Sequence, residues 1–205
     1  MTEEQTKALK SLREKLEKEM FPLVPQKTEE LLTKLVKARK PKMILELGSG
    51  KGYSGSVMLL NSDAGLVTIE KDKQNYDEAL KNYMELEFYG RVLPVNASAE
   101  DVVKSIASAK EKQLFDLIFL DCAKSTYVRV LDDLVGLLSP GGVLIADDCL
   151  YFGKIYDGKE IPDKKHRTIV VNLRKFIKEV EEHKDLENVT MYEIDNGVLV
   201  ATKKA

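Results

Sequence analysis

The sequence predicts an α/β fold with a mostly parallel sheet, and three observations lead to that prediction. Apolar runs of strand length alternate with longer segments of helical periodicity between residues 43 and 146. Such alternation is typical of parallel strands joined by right-handed crossovers. Near the end of the chain, apolar runs at 189–194 and 198–202 flank an Asn-Gly pair, a strong signal for an antiparallel hairpin. We therefore expect a Rossmann-like, mostly parallel seven-stranded sheet with a C-terminal antiparallel hairpin and helices on both faces.

The elements can be placed in order from apolar periodicity and from the positions of proline and glycine. Before the hairpin, strands are predicted at 43–47, 66–70, 91–96, 114–120 and 142–146. Helices are predicted at about 2–19, 26–40, 53–60, 73–88, 99–110, 126–137 and 167–184. Residues 1–40 are expected to form N-terminal helices that cap the site. Residues 41–205 are expected to form the main domain, and both parts belong to one structural domain overall.

Composition and charge limit the class of protein. A chain of 205 residues, of which 43% are hydrophobic and 32% charged, suits one α/β domain with a sizeable core. The formal net charge is −2, so no overall basic field indicates nucleic-acid binding, although a local patch is compatible with it. The longest apolar runs are strand-sized, and the N-terminus lacks the apolar core of a signal peptide. With only two cysteines, Cys122 and Cys149, we expect reduced thiols, a cytoplasmic location and no membrane segment.

The stretch 43–54, Met-Ile-Leu-Glu-Leu-Gly-Ser-Gly-Lys-Gly-Tyr-Ser, is the first candidate for a ligand site. A predicted strand runs into glycines at every second position, Gly48, Gly50 and Gly52, and a predicted helix follows. Glycine permits close approach of the backbone to a ligand, and the start of a helix offers unpaired N–H groups. We therefore expect a ligand cradle here.

The residues around these glycines narrow the kind of ligand. A dinucleotide site requires a small residue at position 53, which is Tyr53, and a phosphate-binding P-loop requires Ser or Thr after Lys51, where Gly52 stands. Glu70 closes the next predicted strand, where it can accept hydrogen bonds from two ribose hydroxyls. This pattern favours a nucleoside without phosphates, and the stretch resembles the first motif of class I S-adenosylmethionine (SAM) methyltransferases. The alternative is a glycine-rich turn that binds nothing.

A second group of polar residues follows the fourth and fifth predicted strands, namely Asp121, Asp147 and Asp148. The carboxyl ends of parallel strands meet at one edge of a sheet, where such folds bind their ligands. Three carboxylates without a basic partner would repel one another, and a hard divalent cation would relieve that conflict. Oxygen ligands favour Mg²⁺, Mn²⁺ or Ca²⁺ over zinc, and the flanking cysteines lack paired Cys/His spacing. The alternative for 147–148 is a solvated loop or a helix cap.

Lys124 lies three residues beyond Asp121 and is expected on the same loop. A lysine beside a metal ion in a partly desolvated site can lose its proton and act as a base. The alternative is that Lys124 is an ordinary charged residue on the protein surface.

With these motifs in place, the sequence resembles the cation-dependent O-methyltransferases, which include the catechol and caffeoyl-CoA O-methyltransferases and bacterial tRNA 5-hydroxyuridine methyltransferases. The matching stretches are V-P-Q-K-T-E-E at 24–30, I-L-E-L-G-S-G-K-G-Y-S at 44–54, T-I-E at 68–70, F-D-L-I-F-L-D-C-A-K at 115–124, L-S-P-G-G at 138–142 and A-D-D at 146–148. The resemblance implies a SAM site lined by Val24, Glu46, Gly48, Gly50, Ser54, Glu70, Ser98 and Asp121. It also implies a metal site of Asp121, Asp147 and Asp148, with Lys124 as the catalytic base beside Asp121.

The sequence also departs from that family pattern. Asp148 stands where the family usually has Asn, and Asn96-Ala97 stands where bacterial members often carry Gly-Asp. Because the chain has no Trp, an aromatic wall around the acceptor would come from residues such as Tyr151 or Phe152 in a loop at 151–165.

The acceptor is the least determined feature. The resemblance implies either a small catechol-like phenol or 5-hydroxyuridine in tRNA, since both present two adjacent oxygens. A basic segment, Lys164-Lys-His-Arg167 continued by Arg174-Lys175, could contact phosphates and favours tRNA slightly, although a solvated helix start explains it equally well. An apolar stripe within residues 9–20 suggests a homodimer, as in relatives. A SAM-binding module without catalysis would not require Asp121, Lys124 and Asp147 together, and Tyr53 and the hairpin argue against a dehydrogenase.

Overall fold

The computed structural model describes residues 3–156, 161 and 163–205. The chain divides into two compact units, the first extending to Ser98 and the second beginning at Ala99. The expected boundary between residues 40 and 41 stays a prediction.

The first unit contains three parallel strands and four helices in the part of it that is described. Its elements are α1 (Glu3–Lys18), α2 (Gln26–Arg39), β1 (Met43–Leu47), α3 (Tyr53–Leu60), β2 (Gly65–Glu70), α4 (Lys73–Glu85) and β3 (Val92–Asn96). Within this unit the strands are ordered β3-β2-β1. Leu47 at the end of β1 pairs with Ile69 near the end of β2. The glycine-rich turn and Glu70 therefore leave the sheet at the same edge.

The second unit combines a parallel pair of strands with an antiparallel hairpin. Its elements are α5 (Ala99–Ser108), β4 (Phe115–Leu120), α6 (Lys124–Leu137), β5 (Leu138–Ala146), α7 (Lys164–Glu182), β6 (Leu186–Tyr192) and β7 (Val198–Lys203). The strand order within this unit is β4-β5-β7-β6, with β7 antiparallel to both of its neighbours. Leu120 pairs with Ala146, so Asp121 and Asp147 follow two adjacent strand ends.

Two helices begin earlier than the sequence predicts. Helix α6 starts at Lys124, so this lysine lies in the first turn of a helix and not on the loop that carries Asp121. Helix α7 starts at Lys164 because Asp163 caps it, its carboxylate accepting a hydrogen bond of 2.9 Å from the backbone N–H of His166. The predicted loop at 151–165 therefore ends at Asp163, and its residues 157–160 and 162 lie outside the described residues.

Helix α1 ends in a hydrogen-bonded reversal of the chain. The N–H of Phe21 donates to Leu16 C=O at 3.0 Å and the N–H of Met20 donates to Glu17 C=O at 3.0 Å, the pattern of a Schellman motif. Met20 adopts the left-handed conformation, with φ of +52°, and is 90% exposed. This turn directs Phe21 back toward the body of the first unit.

The apolar stripe of α1 is buried within the chain itself. Leu9, Leu12 and Leu16 are at most 8% exposed, and α1 packs against α3. The stripe therefore gives no support to the expected homodimer, because a single copy of the chain already covers it. The homodimer stays a prediction.

The C-terminal hairpin has a longer connection than the two-residue turn that Asn-Gly usually indicates. Strand β6 ends at Tyr192 and β7 begins at Val198, so residues 193–197 form the loop. Gly197 has φ of +85° and lies against Leu150. The backbone N–H of Leu150 donates to Asn196 C=O at 2.7 Å, which ties the hairpin loop to the segment that follows β5.

Among the described residues, no helix is both long and apolar enough to cross a membrane.

Replacing Gly197 by Ala should destabilise the second unit. A Cβ at this position would lie 2.2 Å from Cγ of Leu150, in addition to the strain of a left-handed backbone. Gly141→Ala is the matched control, because Gly141 has φ of +75° and open space around its Cβ position. We expect Gly197→Ala to lower the free energy of unfolding by about 1–3 kcal/mol more than Gly141→Ala in urea titrations. An equal loss of unfolding free energy in both variants would show that Leu150 moves away from the new Cβ without destabilising the fold.

Candidate active site

The glycine-rich turn is held against the end of β2 by backbone hydrogen bonds. The N–H groups of Gly48 and Ser49 both donate to Ile69 C=O, at 2.9 and 3.2 Å. The N–H of Gly50 donates to Glu70 Oε2 at 2.9 Å, and the N–H of Asp72 donates to Glu70 Oε1 at 2.8 Å. One backbone donor on each oxygen fixes the Glu70 carboxylate and leaves further lone pairs for a ligand. The structure thus brings Gly48, Gly50 and Glu70 together, as the sequence predicts.

Gly50 and Gly52 are required by protein packing as well as by backbone conformation. Their φ angles are +50° and +84°. A Cβ on Gly50 would lie 3.1 Å from the ring of Phe21, and one on Gly52 would lie 3.0 Å from the ring of Tyr83. Side chains of this protein therefore occupy the space beside both glycines. The glycine pattern alone indicates a close approach to a ligand and gives no sign of these two aromatic neighbours.

Glu46 lies in the core of the first unit and is fully buried. Its carboxylate accepts hydrogen bonds from the hydroxyls of Ser54 at 2.5 Å and Thr68 at 2.6 Å, so it joins β1 to α3 and β2. Burial raises the pKa of Glu46 to about 7, the two hydroxyls acting in the opposite direction. The buried hydroxyl of Tyr83 lies beside this cluster. Glu46 and Ser54 are therefore brought together, and their contact with a cofactor stays a prediction.

Two other predicted cofactor residues lie at the borders of elements in the first unit. Val24 is 4% exposed and lies in the segment between α1 and α2. Ser98 is exposed and directly precedes α5. Their predicted roles remain untested.

In the second unit, Lys124 is surrounded by oxygen atoms. Its Nζ lies 3.7 Å from Asp121 Oδ1 and 3.6 Å from Asp148 Oδ2. It also donates hydrogen bonds to Asp147 C=O at 3.0 Å and to the hydroxyl of Tyr127 at 2.9 Å. The prediction of carboxylates without a basic partner is wrong, because Lys124 is the partner of Asp121 and Asp148.

Asp147 is the buried member of the acidic cluster. It is 2% exposed, and its Oδ1 accepts a hydrogen bond of 2.8 Å from the backbone N–H of Asp148. Burial, followed by the nearby charges of Asp121 and Asp148, raises the pKa of Asp147 to about 7. The four predicted residues of this unit therefore do form one electrostatically coupled group.

The geometry of the described residues does not by itself form a metal centre. Among them, no group of three or more His, Cys, Asp or Glu side chains has an arrangement that could hold a metal ion. The chemistry of the donors nevertheless fits a hard cation, because burial and the charges of Asp121 and Asp148 raise the pKa of Asp147, and a bound positive charge would offset both effects. Burial raises the pKa of the Cys149 thiol to about 12, which disfavours the thiolate that zinc would require.

Tyr127 is a site residue that the sequence analysis missed. Its fully buried hydroxyl accepts from Lys124 and donates to Leu120 C=O at 2.8 Å. The signal was present, because Tyr127 follows Lys124 by three residues and so shares a helix face with it. It was not recognised because Lys124 was expected on a loop.

The chain belongs to the O-methyltransferase family, whose family model matches residues 1–204. It is 26% identical over 181 residues to caffeoyl-CoA O-methyltransferase of Populus kitakamiensis, covering 82% of this chain and 76% of that protein. It is 33% identical over 145 residues to bovine catechol O-methyltransferase, covering 67% of this chain and 52% of that protein, so it spans about half of the bovine relative. The prediction of a SAM-dependent O-methyltransferase is confirmed at the level of this family.

The predicted fold class is confirmed as well. The crystal structure of an O-methyltransferase from Bacillus cereus in complex with SAH, the demethylated product of SAM, has a TM-score of 0.82 to this chain. It covers 97% of this chain and 91% of its own, at 23% identity. Seven strands, mostly parallel and ending in an antiparallel hairpin, are the architecture that the sequence predicts.

Replacing Glu46 by Gln should change how stability depends on pH. The pKa of Glu46 rises from 4.5 to about 7 on folding, so its protonation stabilises the fold below pH ~4.5, and this contribution is lost as pH rises through 7. Between pH 5 and 8 the free energy of unfolding of the wild type should therefore fall by about 2–3 kcal/mol more than that of Glu46→Gln. Urea titrations at each pH measure this, and Asp147 contributes equally to both proteins. Parallel pH profiles would show that Glu46 does not titrate in this range.

Proposed function

We propose that this O-methyltransferase transfers the methyl group of SAM to one of two adjacent oxygens of a catechol-type acceptor, with Mg²⁺ as its cation. The observation that carries the proposal is the group formed by Lys124 with Asp121, Asp147 and Asp148 in a chain of this family. A non-catalytic SAM-binding protein would have no use for a mostly buried lysine among three carboxylates.

The cofactor half of the proposal rests on the first unit. Glu70, oriented by two backbone N–H groups, accepts hydrogen bonds from the ribose hydroxyls of SAM. Gly48 and Gly50 bring the backbone of the turn close to the nucleoside, and Ser54 is held in the first turn of α3 by Glu46. Val24, Ser98 and Asp121 complete the proposed set of cofactor residues.

The acceptor half rests on the second unit. Asp121, Asp147 and Asp148 would hold the cation, and Mn²⁺ or Ca²⁺ could replace Mg²⁺ because all the donors are oxygens. When bound, the cation supplies Lewis acidity that favours the deprotonated form of a phenol. Asp148, in place of the usual Asn, adds one negative charge to the group, which would increase its electrostatic attraction for a cation.

Lys124 is the proposed base. Its contacts with Asp121 and Asp148 are ion pairs. With a cation on those carboxylates, the ammonium would release its proton to solvent and the resulting amine would take the proton of the acceptor hydroxyl. The new oxygen–methyl bond would form in line as the methyl–sulfur bond breaks, which leaves SAH. Tyr127 and the Asp147 carbonyl keep the lysine directed toward the carboxylates.

Two acceptors are chemically suitable, and different observations favour each. The caffeoyl-CoA and catechol O-methyltransferases to which the chain is similar favour a small phenol, which we place first. The exposed residues Lys164, Lys165 and Arg167 at the start of α7 favour 5-hydroxyuridine in tRNA, because a basic patch can bind phosphates. Phe152, which is 72% exposed in the segment after β5, could stack on either ring.

Asp121→Ala should abolish methyl transfer that depends on Mg²⁺. The change removes a proposed cation ligand and one of the two carboxylates beside Lys124. We expect kcat/KM to fall at least about 100-fold in a tritium-transfer assay with labelled SAM and a catechol. Asp132→Asn is the control, since that side chain is 95% exposed. Full activity of Asp121→Ala, or of the wild type in excess EDTA, would contradict the proposed cation site.

The acceptor is identified by offering labelled SAM and Mg²⁺ with either a catechol or tRNA that carries 5-hydroxyuridine. We expect label in the catechol, at a rate unchanged by the double variant Lys164→Glu/Lys165→Glu, because a small phenol makes no phosphate contacts. Lys178→Glu, an exposed lysine further along α7, is the control. Label in the tRNA that is lost in the double variant and retained in the control would establish the second candidate instead.

A further inference from the structure

Lys51, in the middle of the glycine-rich turn, has no role in the proposed reaction, yet its side chain makes two close contacts. Its Nζ lies 2.5 Å from Glu19 Oε2 and 4.9 Å from the centre of the Phe21 ring. The side chain is only 15% exposed, which is low for a lysine. Both partners come from residues 19–25, the segment between α1 and α2, which is called the strap below.

The backbone of Lys51 is fixed independently of its side chain. Its carbonyl accepts a hydrogen bond of 2.8 Å from Asn82 Nδ2 on α4. The turn is therefore anchored to α4 on one side, and the lysine side chain reaches toward the strap on the other. The Schellman motif at the end of α1 holds the strap in the orientation that this contact requires.

The strap also contacts the glycine that orients Glu70. The ring of Phe21 would be 3.1 Å from a Cβ on Gly50, so it packs directly against that residue. The N–H of Gly50 in turn donates to Glu70 Oε2. A continuous series of contacts therefore runs from Glu19 and Phe21, through Lys51 and Gly50, to the carboxylate that is proposed to bind the ribose.

We propose that Lys51 is a positioning residue that fastens the strap onto the glycine-rich turn, and that docking of the strap and binding of SAM are thermodynamically coupled. This inference rests on the proposed SAM site. The turn needs Gly50 in one conformation for its N–H to reach Glu70, and a docked Phe21 restricts Gly50 to that conformation before the cofactor arrives. When the strap is released, the turn has to become ordered as the cofactor binds. The free energy needed for this ordering reduces the affinity for the cofactor.

Coupling of this kind is reciprocal. A strap held by Lys51 raises the affinity for the cofactor, and a bound cofactor holds the strap more firmly. An ion pair on an open surface would give neither effect, because solvent screens it. Here the lysine is mostly enclosed and also contacts an aromatic face, which strengthens its interaction with the strap.

The test is calorimetric titration of SAH into the wild type, Lys51→Met, Glu19→Gln and the double variant. We expect Lys51→Met to weaken SAH binding about 5- to 10-fold and Glu19→Gln to weaken it less. Glu19→Gln should have no further effect once Lys51 is replaced, because the pair acts as one unit. Lys81→Met is the matched control, since Lys81 is exposed and pairs with Glu78 within α4 alone. Thermal melts show that each variant is folded.

Limited trypsin digestion gives a second readout that does not depend on activity. SAH should slow cleavage after Lys18 and Lys27, which flank the strap, in the wild type, and Lys51→Met should be cleaved faster than the wild type without SAH. SAH affinity of Lys51→Met within twofold of the wild type, or protection by SAH that Lys51→Met leaves unchanged, would overturn the coupling. A wild type that binds no SAH would instead overturn the proposed SAM site and this inference with it. Phe21→Leu keeps a smaller apolar contact with the turn, so its affinity for SAH should lie between the affinities of the wild type and of Lys51→Met.

Discussion

The hydrogen bonds between the glycine-rich turn and the end of β2 are the constraint on which the first unit depends. Three consecutive N–H groups, from Gly48 to Gly50, are all directed at Ile69 and Glu70. Any other path of the turn would break these hydrogen bonds to β2, so they set the position at which α3 begins. The same bonds orient Glu70, so one backbone arrangement fixes both the start of a buried helix and the carboxylate proposed to bind ribose.

Among the described residues, each unit buries one acid, and the two units compensate its charge differently. Glu46 is surrounded by hydroxyls from Ser54 and Thr68, which are neutral donors, whereas Asp147 lies beside other carboxylates and the ammonium of Lys124. In both cases burial is the largest influence and raises the pKa to about 7. Neutral donors suit a group that joins strands and a helix. Charged neighbours leave Asp147 sensitive to any further charge that enters the group, as the proposed cation would.

The order of strands and helices could be predicted from local periodicity. The glycine-rich turn and the acidic group could be predicted because the carboxyl ends of parallel strands meet at one edge of a sheet. The contacts of Lys51 with Glu19 and Phe21 could not be predicted, since they join residues that lie 30 or more positions apart and no rule of the fold brings them together. The partnership of Lys124 with Asp148 was missed because the lysine was expected on a loop and not in the first turn of α6. The predicted boundaries of elements are wrong where a side chain sets the boundary. Asp163 caps α7, for example, so that the helix begins three residues before its predicted start. Periodicity identifies an element well, whereas its first residue depends on one local hydrogen bond.

Lys124 occupies a position in which opposing electrostatic effects meet. It is the first residue of α6, and the positive end of the helix dipole disfavours a cation there. The carboxylates of Asp121 and Asp148 offset that penalty, and Tyr127 and the Asp147 carbonyl fix the direction of the side chain. A divalent cation held by those carboxylates would take the place of the ammonium beside them, while Tyr127 and the Asp147 carbonyl would still hold the lysine Nζ in place. Lys124 thus has neutral partners as well as charged ones, and the neutral partners are the ones that its proposed role as a base would leave unchanged.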